Sequence, residues 1–474
     1  MKEIVIDIEE VVKAVLFRNE ELNRRIAELE AENEGYKAEI AGYKSEVAAL
    51  LERLSRDEQP VKDSHNSSTP PSKENIKSRA VRRTRSLRRS SGRPSGGQQG
   101  HQGSTLLMSD TPDIIKTHIP GYCSVCGLSL AKIQGTESET RQSIDIPLPI
   151  CPVVTNHVSI EKVCSCGTCN HGTFPDHVTP GVSYGVNLHA VVSYLSTVQH
   201  IPYKRLTESI KDFYGIKISQ GTVSNILNRM RKRSQPDYEA IRQTIEKSSI
   251  VGADETGCQI NGKLHWMWVF QNALVTYIFQ HSSRGKAAID EHFPKGLPKS
   301  ILVTDRHRSY FNMETDGHQI CLAHLLRELI YLGELDKEQK WSTALLELLR
   351  ESIHKKKTIP FSEIDVGDIK DRFQDLMQQD LSLLDKQFQN LQKSLIKHNQ
   401  HLFLFLEHVE VPYENNASER AVRPLKVKQK VSGMFKTDEG SNAFCQLHTI
   451  VETAKKNMQD PFLALIAVAE NVIE

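Results

Sequence analysis

An α/β fold is predicted for the C-terminal half of this 474-residue chain by three observations. From Ile250 three short runs rich in β-branched and aromatic residues, SIVGADETGCQI, KLHWMWVFQNA and ALVTYIFQHSS, are divided by turn signals such as Asn261-Gly262. A helical stretch, GKAAIDEHF, then leads into a buried-type strand, SILVTD. Asp254 closes the first apolar run and Asp305 closes the later one. Three antiparallel strands followed by helix and strand match the ribonuclease H-like layout, in which adjacent strands bring two such carboxylates to one cation.

Length alone allows about three domains, and 38% hydrophobic with 25% charged residues suffices for real cores. The longest apolar run, Pro461–Ala469, falls short of the ~18 to 20 residues that cross a bilayer. The start, MKEIVIDIEEVVKAVLF, lacks a basic segment followed by a clean apolar one. Neither secretion nor membrane insertion is expected. Nine cysteines, five of them clustered as Cys123, Cys126, Cys164, Cys166 and Cys169, read as a metal site in a reducing compartment rather than a disulfide framework. The net charge of +1 conceals an asymmetry: residues 73–93 hold nine Lys/Arg against one acid, Glu74. Such a block suits an anionic polymer as partner.

Residues 1–56 are expected to form a coiled coil. Leu22, Leu29, Tyr36, Tyr43 and Leu50 fall at d, with Ile26, Asn33, Ile40, Val47 and Leu54 at a. Asn33 at an a position would fix register and pairing number. The alternative is a long amphipathic helix packed within its own chain. Residues 57–110 form a basic linker, too rich in Ser, Pro, Gly and Arg to bury a core. It is either a solvated tether or a sequence-independent phosphate contact.

Residues 111–180 are expected to be a zinc-binding module. Cys123-x2-Cys126 sets two thiolates on one side of a tight turn, and a second pair would complete a tetrahedron. That second pair is drawn from Cys164, Cys166 and Cys169, with His171 and His177 as further candidates. Residues 181–236 read as helices: SYGVNLHAVVSYLSTVQ, then YKRLTESIKDFYG stopping at Gly215, then SQGTVSNILNRMRK capped by Ser219. Helix, Gly-containing turn and helix is a helix-turn-helix pattern that would present Gln220, Thr222, Ser224 and Asn225 to DNA.

The catalytic domain is expected over 245–450, with a helical insertion at about 336–405 and a C-terminal helix at 451–474. Its third acid is Glu419 in YENNASERAVRPLKVKQK, set in the first turn of a helix capped by Asn416 or Ser418; Glu414 competes with it. Three carboxylates from separate elements can hold two Mg²⁺ or Mn²⁺ ions about 4 Å apart, the arrangement that aligns phosphoryl transfer. Arg420, Arg423, Lys426, Lys428 and Lys430 would neutralise nearby phosphates. His324 and Arg327 in CLAHLLREL share a helix face and either approach phosphate or pack structurally. Cys151, Cys258, Cys321 and Cys445 read as small buried residues.

Taken in order, NSSTPPS, GGQQGHQG, the cysteine knuckles, GVSYGVNLHAVVSYLSTVQHIPYKRLTESIKDFYGIKISQGTVSNIL, VGADETG, LVTDRHRSY, CLAHLLREL and ENNASERAVRPLKVKQKVSGMF resemble the insertion sequence 66 transposases of bacterial mobile elements. The resemblance implies a DDE transposase with Asp254, Asp305 and Glu419 as the triad. It also implies hydrolysis at the element's ends, freeing 3′-hydroxyls that attack target DNA without a covalent protein–DNA intermediate. Further implications are binding of the terminal inverted repeats, a structural Zn²⁺, self-association through the coiled coil, accessory proteins of the same element, and a cytoplasmic, nucleoid-associated location. Two departures stand out: Glu414-Asn415-Asn416 replaces the usual Asp-Asn-Asn, and Val163 stands where the second knuckle often has cysteine. Rival readings are a non-catalytic dimeric DNA-binding regulator and a nuclease without strand transfer.

Overall fold

The computed structural model describes residues 8–57, 60, 62, 66, 108–136, 139–144, 150–166, 168–175, 178 and 183–471. The basic block, GGQQGHQG and His177 lie outside the described residues. Two compact units emerge, Met1–Thr84 with Leu326–Glu347, and Arg85–Leu325 with Leu348–Glu474.

In the first unit α1 spans Ile8–Asp57 as one helix. Its apolar stripe of Leu22, Ile26, Leu29, Tyr36, Ile40, Tyr43 and Val47 is 47% to 61% exposed. Pairs three residues apart, Arg18–Glu21, Arg25–Glu28 and Glu34–Lys37, lace its polar side. Each contributes roughly 0.2–0.5 kcal/mol.

The second unit begins with a small antiparallel hairpin, β1 (Glu161–Val163) and β2 (Cys169–His171). Four helices follow: α2 (Val186–Thr197), α3 (Tyr203–Tyr214), α4 (Gln220–Arg233) and α5 (Gln235–Glu246). Gly215 ends α3 at φ 67°, a left-handed cap that a side chain would strain. Ser219 caps α4 by accepting the Thr222 N–H at 3.0 Å. Both ends were legible in the sequence.

A five-stranded mixed sheet follows. It comprises β3 (Ile250–Ile260), β4 (Lys263–Gln271) and β5 (Thr276–His281), then α6 (Lys286–His292), β6 (Leu297–Thr304), α7 (Arg308–Phe311) and β7 (Thr315–Ile320). The order is β5-β4-β3-β6-β7; the first three are antiparallel neighbours, and β6 runs parallel to both β3 and β7. Asn261 and Gly262, at φ 47° and 73°, make the two-residue turn between β3 and β4. Next come α8 (Leu322–Leu335), α9 (Trp341–Thr358), α10 (Val366–Met377), α11 (Lys386–Lys397), α12 (Leu404–Glu407), α13 (Asn416–Ser432), α14 (Asp438–Lys456) and α15 (Pro461–Glu470).

Alternation along the strands gives the sheet two buried faces. Val251, Ala253, Trp268, Phe270, Tyr277 and Leu302 share one continuous core with Ile210, Ile226 and Met230 of α3 and α4, and with Leu447 of α14. The helices expected as a separate DNA-binding domain therefore share their core with the sheet. The opposite face, Cys258, Ile260, Met267, Val269 and Ile278, receives Ala421, Val422 and Leu425 of α13. Among the described residues no helix is long and apolar enough to cross a membrane.

The edge strand β5 is closed by α14. Thr449 accepts the Ile278 N–H at 2.9 Å and Thr453 accepts that of Thr276 at 3.2 Å. Both threonines thus satisfy backbone donors that an open edge would expose. Thr449→Val should strand a buried N–H and cost about 1–3 kcal/mol. Urea denaturation should show a lower midpoint with an unchanged slope; an unchanged midpoint would remove the edge bond from the account.

Candidate active site

Asp254 lies on the α13 face of β3, together with Gly252, Cys258 and Ile260. The last paired residues of β3 and β6 are Gly252 and Val303. Asp254 stands two positions beyond on β3, and Asp305 directly follows the last residue of β6, so the parallel register brings two carboxylates to the same end of the sheet. Asp254 accepts the Glu255 N–H at 2.9 Å, and Asp305 accepts the His307 N–H at 2.9 Å. These bonds orient both groups where the strands part.

Glu419 is brought to that face by α13. The helix starts at Asn416, which makes Asn415 the capping position rather than Asn416 or Ser418 as the sequence suggested. Asn415 does not cap with its side chain. Its amide donates to Ala253 O at 2.7 Å, and its Oδ1 accepts the Ser418 hydroxyl at 2.6 Å. Gln271 donates to Ser418 Oγ at 3.2 Å, and Lys456 donates to Gln271 Oε1 at 2.7 Å. The network lies against Gly252, where a Cβ would meet Gln271 Nε2 at 2.5 Å, Ser418 Oγ at 2.6 Å and Asn415 Oδ1 at 2.8 Å. Only glycine lets the helix sit this close to the strand.

Burial, then the negative charges of Glu255, Asp305 and Glu419, push the Asp254 carboxyl up to about 8. Glu419 is therefore within electrostatic reach of Asp254. Glu414 instead lines a cavity of about 870 Å³ with Glu410, Arg420 and Lys456. A buried carboxyl whose ionisation neighbouring acids oppose fits a divalent cation, whose charge reverses the penalty and whose preference is for hard oxygens. The next residue, Glu255, points to the other face. Its buried carboxylate receives Arg284 at 2.8 and 2.9 Å as well as the Tyr310 hydroxyl. Arg284 also covers the Trp266 ring at 4.6 Å. Strand alternation alone could have separated Glu255 from Asp254 in the sequence; its arginine and tyrosine partners had no local signal.

His324 meets Glu419, with Nε2 at 3.6 Å from Oε1. Arg327 belongs to the first unit and His324 to the second. Along α13, Arg423, Lys426 and Lys430 follow Glu419 at helical spacing and are exposed, as is Arg420. Lys428 departs from the expected phosphate contact. It is buried, donating to Ser196 O at 3.1 Å with its ammonium 5.7 Å from the Phe444 ring. On α4, Gln220 and Asn225 are exposed while Thr222 and Ser224 are half-buried. Arg229 and Arg233 of the same helix reach His189 at 3.2 Å and Ala469 O at 2.6 Å.

The cysteines form two separate turns. Cys123 N–H donates to Leu128 O at 2.9 Å and Gly127 N–H to Cys123 O at 3.0 Å, with Gly127 at φ 74°. The backbone N–H groups of Cys126 and Val125 pull the Cys123 thiol below its ordinary value. Cys164 N–H donates to Thr168 O at 2.9 Å, and the Cys166 thiol is lowered to about 7 by Thr168 and then by Cys164. Pre-shaped turns with lowered thiols fit a thiophilic metal. Cys169 stands apart, grouped with Glu161 and His171 on the hairpin. Among the described residues the Cys123/Cys126 and Cys164/Cys166 turns do not meet at one point. Cys151 is exposed, whereas Cys258, Cys321 and Cys445 are buried as expected.

Residues 181–443, more than half of the chain, match a family of transposases, a class that acts on DNA with the help of divalent metal ions. That family is the Transposase IS66 family, and the chain belongs to it. Residues 11–106 match a family of unknown function, DUF6444. No curated protein matches the chain.

Two outcomes follow from this geometry. Gly252→Ala should displace the Asn415–Ser418 network at a cost of about 1–3 kcal/mol. It should lower both the melting temperature and the calorimetric affinity for Mn²⁺; normal values for both would mean that α13 docks without that contact. Burial also lowers the Lys428 ammonium to about 8 from 10.5. Between those values the unfolded chain holds a proton that the folded chain has released, so this residue's contribution to stability rises with pH across the window. Relative to Lys428→Met, the wild type should gain unfolding free energy from pH 8 towards pH 10. Parallel pH profiles for the two proteins would contradict the burial.

Proposed function

We propose that this protein is a DDE transposase that binds the terminal inverted repeats of a bacterial insertion sequence, cleaves the element ends and joins the 3′-hydroxyls to target DNA. The reading is supported by one observation: the buried Asp254 carboxyl feels the charge of Asp305 and Glu419, which come from two other elements, in a chain of a transposase family. The strand order, with an antiparallel three-strand meander beside two parallel strands, supports a ribonuclease H-like catalytic domain.

In this reading the three carboxylates hold two Mg²⁺ or Mn²⁺ ions. When bound, these cations activate the attacking oxygen and stabilise the leaving one. The chain supplies alignment. The β3–β6 register ends just before Asp254 and Asp305, and the Asn415 amide ties the start of the helix that carries Glu419 to the residue before Asp254. Arg423 and Lys426, exposed one and two turns after Glu419, bind scissile-strand phosphates and, with Arg420, offset the charge that the DNA brings. Gln220, Thr222, Ser224 and Asn225, in the first turns of α4, read base edges in the major groove.

Outside the catalytic domain, Cys123 and Cys126, joined by ligands from Cys164, Cys166 and Cys169, hold a structural Zn²⁺; the two pre-shaped turns support this, and metal binding would have to bring them together. The stripe on α1 pairs two protomers, so that both element ends are held together.

Incubation with Mg²⁺ and labelled end DNA should yield nicked ends with free 3′-hydroxyls that join to target DNA. Asp305→Asn and Glu419→Gln should lose cleavage while end binding persists. Nicking without joining would identify a nuclease, and binding without nicking a non-catalytic regulator.

A further inference from the structure

We infer that His324 is a nitrogen ligand to the cation held by Glu419, giving this corner of the site a mixed nitrogen–oxygen donor set. The inference rests on the proposed cation site and extends it by one residue from α8.

Three contacts bring the first turns of α8 and α13 together. Cys321 N–H donates to Thr304 O at 2.7 Å, which ties the start of α8 to the residue before Asp305. Leu322 N–H donates to Tyr413 O at 2.8 Å, and Asn415 N–H donates to Cys321 Sγ at 3.2 Å. With both turns fixed, donor atoms of Cys321, His324 and Glu419 lie within 4.8 Å of one another.

The distance between His324 and Glu419 decides what they do. At 3.6 Å, Nε2 and Oε1 are too far apart for a normal N–H···O hydrogen bond. Two ligand atoms about 2.1 Å from one cation stand roughly 3 to 3.5 Å apart, which this pair nearly matches. Cys321 contributes scaffolding instead. Its sulfur accepts the Asn415 N–H at 3.2 Å and so helps to hold the two turns together. Imidazole nitrogen suits Mn²⁺ better than Mg²⁺, so His324 tilts the site towards the softer cation.

The test is electron spin-echo envelope modulation on the full-length protein loaded with Mn²⁺ alone. The wild type should show ¹⁴N modulation that converts to the ¹⁵N pattern when histidine is ¹⁵N-labelled, an assignment that needs no variant. His324→Gln should lose the modulation, and His307→Gln, altered beside Asp305, should keep it. Mn²⁺ that binds, is released by Asp254→Asn and shows no nitrogen modulation would overturn the role of His324 and leave the carboxylate site standing. Modulation that survives His324→Gln would also overturn it. Failure of Mn²⁺ to bind the wild type would remove both.

Discussion

The Asn415 amide donates to the Ala253 carbonyl at 2.7 Å across 162 residues of sequence, and the candidate site depends on that bond. The β3–β6 ladder ends at Gly252 and Val303, so the Ala253 carbonyl lies just past the last pair, where a buried acceptor needs another donor. Asn415 supplies it, and in doing so ties the first turn of α13, which carries Glu419, to the residue before Asp254. Gly252 leaves the room, while Ser418, Gln271 and Lys456 fix the geometry from behind. A helix docked only by Ala421, Val422 and Leu425 could slide along the sheet; one docked through this network is held in register.

The same sheet sorts its acids by face. Glu255 is neutralised by Arg284 and Tyr310 in the core beneath the strands. Asp254, one residue earlier, has no such partner among the described residues, and burial, then the charges of Glu255, Asp305 and Glu419, raise its proton affinity. A fold that supplies an arginine to one acid and withholds it from its neighbour leaves a site whose charge balance a divalent cation would complete. Exposed Arg420, Arg423, Lys426 and Lys430 stand outside this cluster, where they can meet a polyanion without quenching the acids.

Much of this was legible in the sequence because its signals are local. The Asn261-Gly262 turn, the Gly215 stop and the Ser219 cap each act within a few residues, and the apolar runs bounded by Asp254 and Asp305 read directly as strands. Signals spanning the chain were not legible. Lys428 sits in an unbroken basic run, and only the packing of α13 near Ser196 and Phe444 shows that it faces inward. Asn415 read as the residue before a capping candidate, because its partner Ala253 is remote in sequence. The grouping of Cys169 with Glu161 and His171 follows from the hairpin register, which the spacing of the cysteines does not encode.

The central claim is that three carboxylates from β3, the end of β6 and α13 form one cation site. Anomalous diffraction at the manganese edge from crystals soaked in Mn²⁺ tests it directly. The account predicts anomalous density in contact with Asp254, Asp305 and Glu419, and its loss in Asn415→Ala crystals. Density in the cavity beside Glu410 and Glu414 with none at Asp254 would contradict it.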